Sequence, residues 1–228
     1  MGTRRNGFSS SILAVVAAAT LFALSACTRY GQGARPIDPG LLATEPGWIV
    51  AAPTPEIRQR SQLQCGQAAL AMVAGRWLVA MTLDDALAVA PPTHDLAVSD
   101  LNVAARASGL EAYSVADDPD ILEFELRAHR PVIVGLMRRV GGRTLRHYEV
   151  VVALRPSTRQ VVTIDPAGGW RVRHVEELDA EWSAAGRVAL VVVGRTPESQ
   201  ALVPRPKVIN TQQTAERHRP EAWPSYYP

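Results

Sequence analysis

The chain has 228 residues, of which 47% are hydrophobic and 20% charged, so it has room for an ordinary globular core and is neither disordered nor polytopic. Its 24 basic and 22 acidic residues leave a formal net charge of +2. This balance is too even to hold nucleic acid by bulk electrostatics, so we expect no nucleic-acid partner. The two cysteines, Cys27 and Cys65, exclude a disulfide framework and a C-x-x-C redox or zinc cluster.

The amino terminus has the pattern of a secretory signal. Arg4 and Arg5 precede an apolar run over residues 11–24, and small residues follow it directly. The run is shorter than the span of about 20 residues that a transmembrane helix needs. We therefore predict a signal peptide over residues 1–26.

The end of this signal, Leu24-Ser-Ala-Cys27, resembles the lipobox of bacterial lipoproteins. The resemblance implies that Cys27 is acylated, becomes the mature amino terminus and anchors the protein to a membrane. Thr28 after the cysteine implies sorting to the outer membrane, facing the periplasm. The alternative is an ordinary signal peptide with an incidental cysteine. With Cys27 lipidated, Cys65 is an unpaired thiol in an oxidising compartment, where it is liable to oxidation.

Glycine and proline mark both ends of the mature chain. Residues 27–55 are rich in both and have few periodic apolar residues, which predicts a lipidated tether. Residues 197–228 also lack periodicity and contain several prolines, which predicts a disordered tail. Between these segments, residues 56–196 form one domain of ordinary size.

Helical patterns precede strand patterns within this domain. The helices are predicted over residues 65–80, over 82–90 from a capping box at Thr82, from a cap at Ser99 to Gly109, and from Asp118 to near His129. The second half contains short β-branched runs at 131–137, 148–154, 161–164 and 188–193, with a helix at 176–184. Helices followed by adjacent strands with short turns indicate an α+β domain with an antiparallel sheet.

Cys65 is a candidate nucleophile because of its position in the first turn of the first domain helix. Unpaired N–H groups and the helix dipole favour an anion there, which lowers the pKa of a thiol. We expect Gly66, which follows directly, to leave the space beside the sulfur open to a substrate backbone. The alternative is a buried structural cysteine that acts as a small apolar residue.

A nucleophilic cysteine needs a base, and the chain has five histidines. His147 stands at the start of a strong strand pattern, which fixes its direction on a rigid element. His174 is a weaker competitor, because it precedes a helix and has no matching strand. His94, His129 and His218 have the contexts of solvated residues in a loop, at a helix end and in the tail.

The base in turn needs an orienting polar group, and Asp165 is the candidate. In a hairpin that turns near Ser157 and Thr158, the start of the first strand meets the end of the second. His147 then lies within a few residues of Asp165, whose carboxylate can accept the imidazole N–H. The alternative for Asp165 is a turn carboxylate that precedes Pro166.

These segments together resemble the bacteriocin-processing peptidases that cleave double-glycine leaders, and their stand-alone papain-like relatives. The resemblance is carried by Gln59-Arg-Ser-Gln-Leu-Gln-Cys65, by His147-Tyr-Glu-Val-Val-Val, by Thr163-Ile-Asp-Pro166 and by the pair Glu181-Trp182. It implies a papain-like fold, a Cys65, His147 and Asp165 triad, and an oxyanion-hole donor at Gln59. Gln62 and Gln64 are close enough in sequence to compete with Gln59 for that role. No transporter segment follows, which argues against cleavage of a double-glycine leader during export.

The sequence thus predicts an envelope-anchored cysteine peptidase that acts on peptides or unfolded protein segments and needs no cofactor or metal. Three alternatives stay open. The domain could be a non-catalytic peptide-binding module of the same fold, or an amide-cleaving or amide-transferring enzyme of the cell wall. The third alternative is a zinc site formed by Cys65, His147 and Asp165, because three protein ligands leave one coordination position open.

Four arginines lead into the histidine strand: Arg138, Arg139, Arg143 and Arg146. The simpler interpretation is a solvated hairpin turn. The functional interpretation is a basic loop beside the cleft that prefers acidic peptides, with a preference that salt weakens.

Overall fold

The computed structural model describes residues 33–77, 80–92, 96–115, 118, 120–140 and 143–194. The predicted signal peptide, Cys27, the first residues of the predicted tether, His94, His218 and the predicted tail lie outside these ranges. Within them, no helix is long and apolar enough to span a bilayer.

One antiparallel sheet of eight strands organises the described residues. The strands are β1 (Arg35–Pro36), β2 (Ile49–Val50), β3 (Glu111–Val115), β4 (Val132–Val140), β5 (Arg143–Arg155), β6 (Gln160–Asp165), β7 (Gly169–His174) and β8 (Ala189–Val193). Their order across the sheet is β1-β7-β6-β5-β4-β8-β3, and β2 pairs with β5 outside this path. All of these strand pairs are antiparallel, and helices pack against the sheet, which confirms the predicted α+β class.

Helices cover both faces of the sheet. They are α1 (Leu41–Thr44), α2 (Cys65–Arg76), α3 (Leu83–Val89), α4 (Val98–Ala107), α5 (Ile121–Arg127) and α6 (Val175–Ala184). The face with Val150 and Val152 packs against α2, α3 and α4. The opposite face, with Val134 and Val151, packs against α5 and α6. Residues 65–74 of α2 are all buried, as expected for a helix that is apolar on every side.

The strand that carries His147 runs in the middle of two successive hairpins. β4 and β5 pair from Val132 opposite Val151 to Val140 opposite Arg143. β5 then turns through a 3₁₀ segment, Pro156–Thr158, and pairs with β6, with a bulge between Val151 and Ala153. This second turn is the one that the sequence predicts. It brings the end of β6 back beside the middle of β5, where Ile164 lies opposite Val150. Because β5 begins at Arg143, His147 lies within the strand and not at its start, contrary to the expectation from the sequence.

Two helix starts test the predicted caps. Thr82 caps α3 and exchanges hydrogen bonds with Asp85, as its capping box predicts. The predicted cap of α4 at Ser99 is wrong, because the helix begins at Val98. Its first turn is closed by Asp100, whose carboxylate accepts the N–H of Ala97 at 2.8 Å. A side chain three residues into the helix can satisfy this N–H, so the cap itself needs no oxygen.

Four further expectations differ from the structure. The described part of the predicted tether contributes β1, α1 and β2, and Trp48 and Ile37 pack against the core. Strand β3 falls between two predicted helices, and β7 provides the strand that His174 was expected to lack. The helix expected from Asp118 to near His129 is shorter, Ile121–Arg127. His129 has a left-handed backbone, φ 57°, which places it outside the helix.

Candidate active site

The start of α2 is shaped by the residues that precede it. A short 3₁₀ segment, Gln62–Gln64, leads directly into the helix. The Gln64 side-chain oxygen accepts the backbone N–H groups of Arg60, at 2.9 Å, and of Ser61, at 3.1 Å. This capping box of Ser61 and Gln64 fixes the path of the chain into α2, so that Cys65 is the first residue of the helix. Its thiol is free, and the residue is only 6% exposed.

Gly66 does not leave open space beside the sulfur, contrary to the expectation from the sequence. A Cβ on this glycine would lie 2.6 Å from Leu96 Cδ2 and 3.2 Å from Tyr148 Cδ2. The glycine therefore allows α2 to approach β5 closely. The first turn of α2 therefore packs directly against β5, the strand that carries His147.

His147 and Asp165 meet where β5 and β6 come together, as the hairpin predicts. The distance from His147 Nε2 to Asp165 Oδ1 is 2.9 Å. The same Oδ1 accepts the N–H of Ala167 at 2.8 Å, while Oδ2 accepts Arg138 Nη1 at 3.1 Å. Burial alone would raise the pKa of Asp165, but the hydrogen bonds and positive charge around it hold that pKa well below its usual value. Asp165 is therefore an ionised acceptor for the imidazole.

The Cys65 thiol and the His147 imidazole lie close enough to shift each other's pKa. Since Nε2 of the imidazole faces Asp165, Nδ1 is the nitrogen left for the thiol. Burial favours the neutral thiol, but contact with His147 and the N–H groups of Tyr148 and Gly66 lower the pKa of Cys65 below its usual value. Burial also opposes the imidazolium, but Asp165 and Cys65 raise the pKa of His147 above its usual value. Both shifts favour a thiolate and imidazolium pair.

Gln59 lies beside the triad on the Asp165 side. Its backbone N–H donates to the carbonyl oxygen of Pro166 at 3.0 Å. Its side-chain oxygen is buried and has no hydrogen-bond partner. Of the two competitors, Gln64 already uses its side-chain oxygen to accept the backbone N–H groups of Arg60 and Ser61. Gln62 is exposed and lines the cleft next to Cys65, so it remains a competitor for the oxyanion role.

The other described histidines lie away from this site. His174 pairs with Gln160 at one end of the β6 and β7 ladder, whereas Asp165 pairs with Gly169 at the other. Five residues of strand separate the two ends, about 17 Å at 3.4 Å per residue. The backbone carbonyl of His129 accepts the N–H of Ala52 and the Arg76 side chain. Among the described histidines, His147 alone pairs with the thiol.

A small cleft opens beside the sulfur. Besides Cys65 and Gly66 it is lined by Gln62, Leu63, Leu96, Arg146 and Tyr148. The Tyr148 hydroxyl donates to the carbonyl oxygen of Leu96 at 2.6 Å, which ties the wall of the cleft to β5. Burial raises the pKa of Tyr148 to about 12, so this hydroxyl stays protonated at neutral pH. The wall combines apolar carbon with a few polar groups, as small-molecule and peptide clefts do.

A buried ionic cluster lies under Asp165, and we refer to it as the Arg138 cluster. Arg138 contacts Asp165, Glu149 and, at 3.5 Å, Glu181. Arg173 contacts the same two glutamates, Glu149 at 2.9 Å and Glu181 at 2.7 Å. The side chains of all five residues are less than a tenth exposed. The cluster joins β4, β5, β6 and β7 to α6.

The predicted basic loop is therefore only partly correct. Arg138 belongs to β4 and is buried, so it is not available to a substrate. Arg139, Arg143 and Arg146 are exposed on the β4 and β5 hairpin. Of these, Arg146 lines the cleft.

The zinc alternative also needs correction. The described groups close enough to share a cation are His147, Glu149 and Asp165, with ligand atoms within 4.8 Å of one another. This set includes Glu149 and leaves out Cys65. The guanidinium of Arg138 already donates to both of its carboxylates, so a cation would have to displace a buried positive charge.

Sequence reasoning missed Glu149, Arg173 and the burial of Arg138. A signal for them was present. Glu149 interrupts an otherwise apolar strand, and a charge at a buried strand position needs a partner of opposite charge. Arg138 follows an apolar strand run at the spacing that points it to the same face as Val134 and Leu136.

Comparisons with known proteins identify the family and the fold. The model of the peptidase C39 family matches residues 54–196. No curated protein matches the chain. A solved double-glycine-motif protease from an AMS/PCAT transporter, in complex with its leader peptide, is 24% identical with a TM-score of 0.52, over 64% of this chain and 94% of that one.

Two further solved structures have the same fold. The peptidase domain of Streptococcus ComA, a bifunctional ABC transporter in a quorum-sensing pathway, is 21% identical with a TM-score of 0.53, over 61% of this chain and 98% of its own. A C39-like peptidase from Bacillus anthracis is 14% identical with a TM-score of 0.51, over 65% and 98%. The structural similarity to these three proteins supports the papain-like fold. The match to the family model covers well over half of the chain. The chain belongs to the peptidase C39 family and is a cysteine peptidase.

Proposed function

We propose that this cysteine peptidase hydrolyses peptide bonds with Cys65 as nucleophile, His147 as general base and acid, Asp165 as orienting carboxylate and Gln59 as oxyanion donor. The observation that carries the proposal is the placement of the Cys65 thiol next to an imidazole that is hydrogen-bonded to a buried, ionised carboxylate. A nucleophile, a base and an orienting group in hydrogen-bond reach of one another are what covalent acyl transfer requires.

In the first half of the reaction, the Cys65 thiolate attacks the scissile carbonyl carbon and forms the carbon–sulfur bond. The electron pair of the carbonyl moves to oxygen, where N–H donors stabilise the negative charge. When this intermediate collapses, the bond between carbon and nitrogen breaks, and His147 gives its proton to the leaving amine. The products of this half are the free amine and a thioester on Cys65.

In the second half, water replaces the amine. His147 is now neutral and takes a proton from the water, whose oxygen attacks the thioester carbon. Collapse of the second intermediate releases the acid and restores the thiolate and imidazolium pair. Asp165 keeps Nε2 of the imidazole protonated in both halves, so that Nδ1 remains the nitrogen that exchanges protons with the reacting groups.

The lowered pKa of Cys65 and the raised pKa of His147 give the expected pH dependence. Below the first titration step the thiol is protonated, and above the second the imidazolium has lost its proton. The active ion pair exists between the two steps, which belong to the pair and not to either residue alone. Activity should therefore follow a bell-shaped profile that extends below the pKa of about 8.5 of a free cysteine.

The substrate class that we propose is a peptide or an unfolded protein segment. The related double-glycine-motif protease was solved with a leader peptide bound, which supports a peptide occupant for the same fold. The cleft beside Cys65 is small, which suits an extended chain better than a folded surface. Tyr148 and Leu96 would contact the side chain next to the scissile bond.

We further propose that the peptidase works at the bacterial cell envelope, anchored by a lipid on Cys27. The support is the signal-like segment and the lipobox resemblance of its last residues. Replacing Cys27 by Ala should yield a soluble protein or an unprocessed precursor. Membrane fractionation of the variant and of wild type measures this difference. Equal membrane association of the two proteins after correct signal cleavage would contradict the anchor.

The test of catalysis uses one peptide substrate and one thiol-directed alkylating probe. We expect wild-type Cys65 to be labelled well below pH 8.5, and His147→Ala to lose this low-pH labelling. Cys65→Ser should abolish turnover with little change in thermal stability, since serine fills a similar volume. Labelling only at alkaline pH, equal in wild type and His147→Ala, would overturn the proposal. Tight peptide binding without turnover would then favour the binding module, and release of cell-wall fragments would favour the amide-cleaving enzyme.

A further inference from the structure

Arg138 occupies an unusual place for an arginine, because three of its nitrogens contact three carboxylates on three different elements. Nη1 donates to Asp165 on β6, Nη2 to Glu149 on β5, and Nε to Glu181 on α6. A planar guanidinium with fixed donor directions is suited to hold several carboxylates in a defined geometry. The orientation of Asp165 is therefore linked to the packing of α6 on the sheet.

We propose that Arg138 is a positioning residue of the peptidase, which holds the Asp165 carboxylate in the orientation that His147 requires. The inference rests on the proposed function of the triad. Oδ2 of Asp165 is held by Arg138, so Oδ1 is directed at His147 Nε2 and at the N–H of Ala167. With both oxygens engaged, the carboxylate cannot rotate away from the imidazole.

The charges around Asp165 support this role. Burial would raise the pKa of Asp165, but His147 and Arg138 keep its carboxylate ionised. Burial and the positive charge of Arg138 lower the pKa of His147, whereas the hydrogen bond to Asp165 and the interaction with Cys65 raise it above its usual value. The imidazolium form that pairs with the thiolate therefore depends on the hydrogen bond to Asp165, whose geometry Arg138 fixes.

Arg173 provides a matched comparison within the same cluster. It is fully buried and contacts the same two glutamates as Arg138, but it makes no ion pair with Asp165. Loss of either arginine leaves buried carboxylates less compensated and should destabilise the fold to a similar extent. Only the loss of Arg138 removes a donor from Asp165.

The test uses two double variants, Arg138→Met/Glu149→Gln and Arg173→Met/Glu149→Gln. Each removes one guanidinium and one carboxylate, so the cluster keeps its net charge and neither variant is left with an added buried charge. We expect similar thermal stability for the two. The Arg138 variant should lose about tenfold or more in kcat, the equivalent of one charge-assisted hydrogen bond, with KM nearly unchanged because Arg138 does not touch substrate. The Arg173 variant should lose much less.

A third variant and a second readout complete the design. Arg138→Lys keeps the charge but offers a single ammonium in place of three separate donors, so its kcat should lie between wild type and the Arg138 double variant. The rate of Cys65 alkylation below pH 8.5 should follow the same order, because a misoriented Asp165 no longer supports the imidazolium.

Equal kcat and equal labelling in the two double variants, with an active wild type, would overturn the role of Arg138 and leave the triad intact. A rise in KM without a fall in kcat would also overturn it, since that pattern belongs to substrate contact. If the wild-type thiol itself reacts only at alkaline pH, the proposed function fails, and the positioning role fails with it.

Discussion

Two buried ionic clusters stabilise this domain, and they differ in what they touch. Arg130 and Glu125 form one of them, with the Tyr113 hydroxyl donating to the same carboxylate at 3.1 Å. Its charges balance, and it joins the end of α5 to β3. The Arg138 cluster has one carboxylate more than it has arginines, and its extra member, Asp165, contacts His147. Both clusters thus bury charged groups, but of the two the Arg138 cluster is the one that contacts a titrating group at the cleft, His147.

The comparison separates a structural ion pair from a functional one. Replacing one partner of the balanced Arg130 and Glu125 pair leaves the other charge buried without a partner, which lowers stability. Replacing Arg138 or Asp165 should in addition change the orientation and protonation of His147. The four predictions below use this difference, from the largest expected effect to the smallest.

The largest effect is expected for Asp165→Asn. An amide can donate to the imidazole and favour the wrong tautomer, and in a serine protease this change lowers kcat about 10⁴-fold. Turnover of the peptide substrate, measured on folded protein, should fall toward that extent. Low-pH labelling of Cys65 should fall as well, because the imidazolium loses its carboxylate. Unchanged turnover would mean that Asp165 is only a turn residue before Pro166.

Arg130→Met is the structural counterpart. Glu125 would remain buried without its cation, so the free energy of unfolding should fall by about 3–5 kcal/mol. Denaturant unfolding measures this loss, with wild type as the reference. Turnover per folded molecule should be unchanged, since the Arg130 pair has no contact with the triad residues. A large fall in kcat at full folding would contradict the separation of the two clusters.

Gln59→Ala tests the oxyanion donor. One lost donor typically raises the barrier by about 2.7–4 kcal/mol, or 10²–10³-fold in kcat. Labelling of Cys65 should be unaffected, because the donor acts on the substrate oxygen and not on the thiolate. Gln62→Ala is the matched control, since Gln62 also lies near Cys65. If Gln62→Ala carries the loss instead, the oxyanion role moves to that residue.

The sequence predicted those parts of the site that depend on local patterns. The apolar run of α2 places Cys65 at a helix start, and the turn at Pro156–Thr158 brings the end of β6 close to His147. These features need only neighbouring residues or a single hairpin. The match of Gln59, Cys65, His147 and Asp165 to one family pattern supplied the rest of the predicted site.

The Arg138 cluster could not be predicted in the same way, because its members are distant in sequence. Glu149, Asp165 and Glu181 lie 11, 27 and 43 residues from Arg138. A single hairpin accounts for the first contact only, and the others require the order of β6 and the packing of α6. Strands β1 and β2 were missed for a different reason. Each has two residues, too few for any periodicity.

The smallest expected effect concerns the exposed face of the β4 and β5 hairpin. Arg146 lies opposite Met137, and Arg139 lies opposite Thr144, so both arginines project from the face that continues the cleft. Neither forms an ion pair with a described residue. Arg143 is also exposed but projects from the other face, with Leu145 and His147.

Arg146→Gln should therefore reduce a preference for acidic peptides, whereas Arg143→Gln should leave it intact. Exposed charge pairs contribute about 0.2–1 kcal/mol, so a peptide with an acidic residue near the scissile bond should gain at most about fivefold in kcat/KM. Screening over about 10 Å at roughly 0.1 M salt should remove most of that gain. The measurement compares acidic and neutral peptides of one sequence at low and high salt. A profile that is indifferent to substrate charge and to salt would leave these arginines as solvated residues of a hairpin, and would restrict recognition to the apolar wall formed by Leu96 and Tyr148.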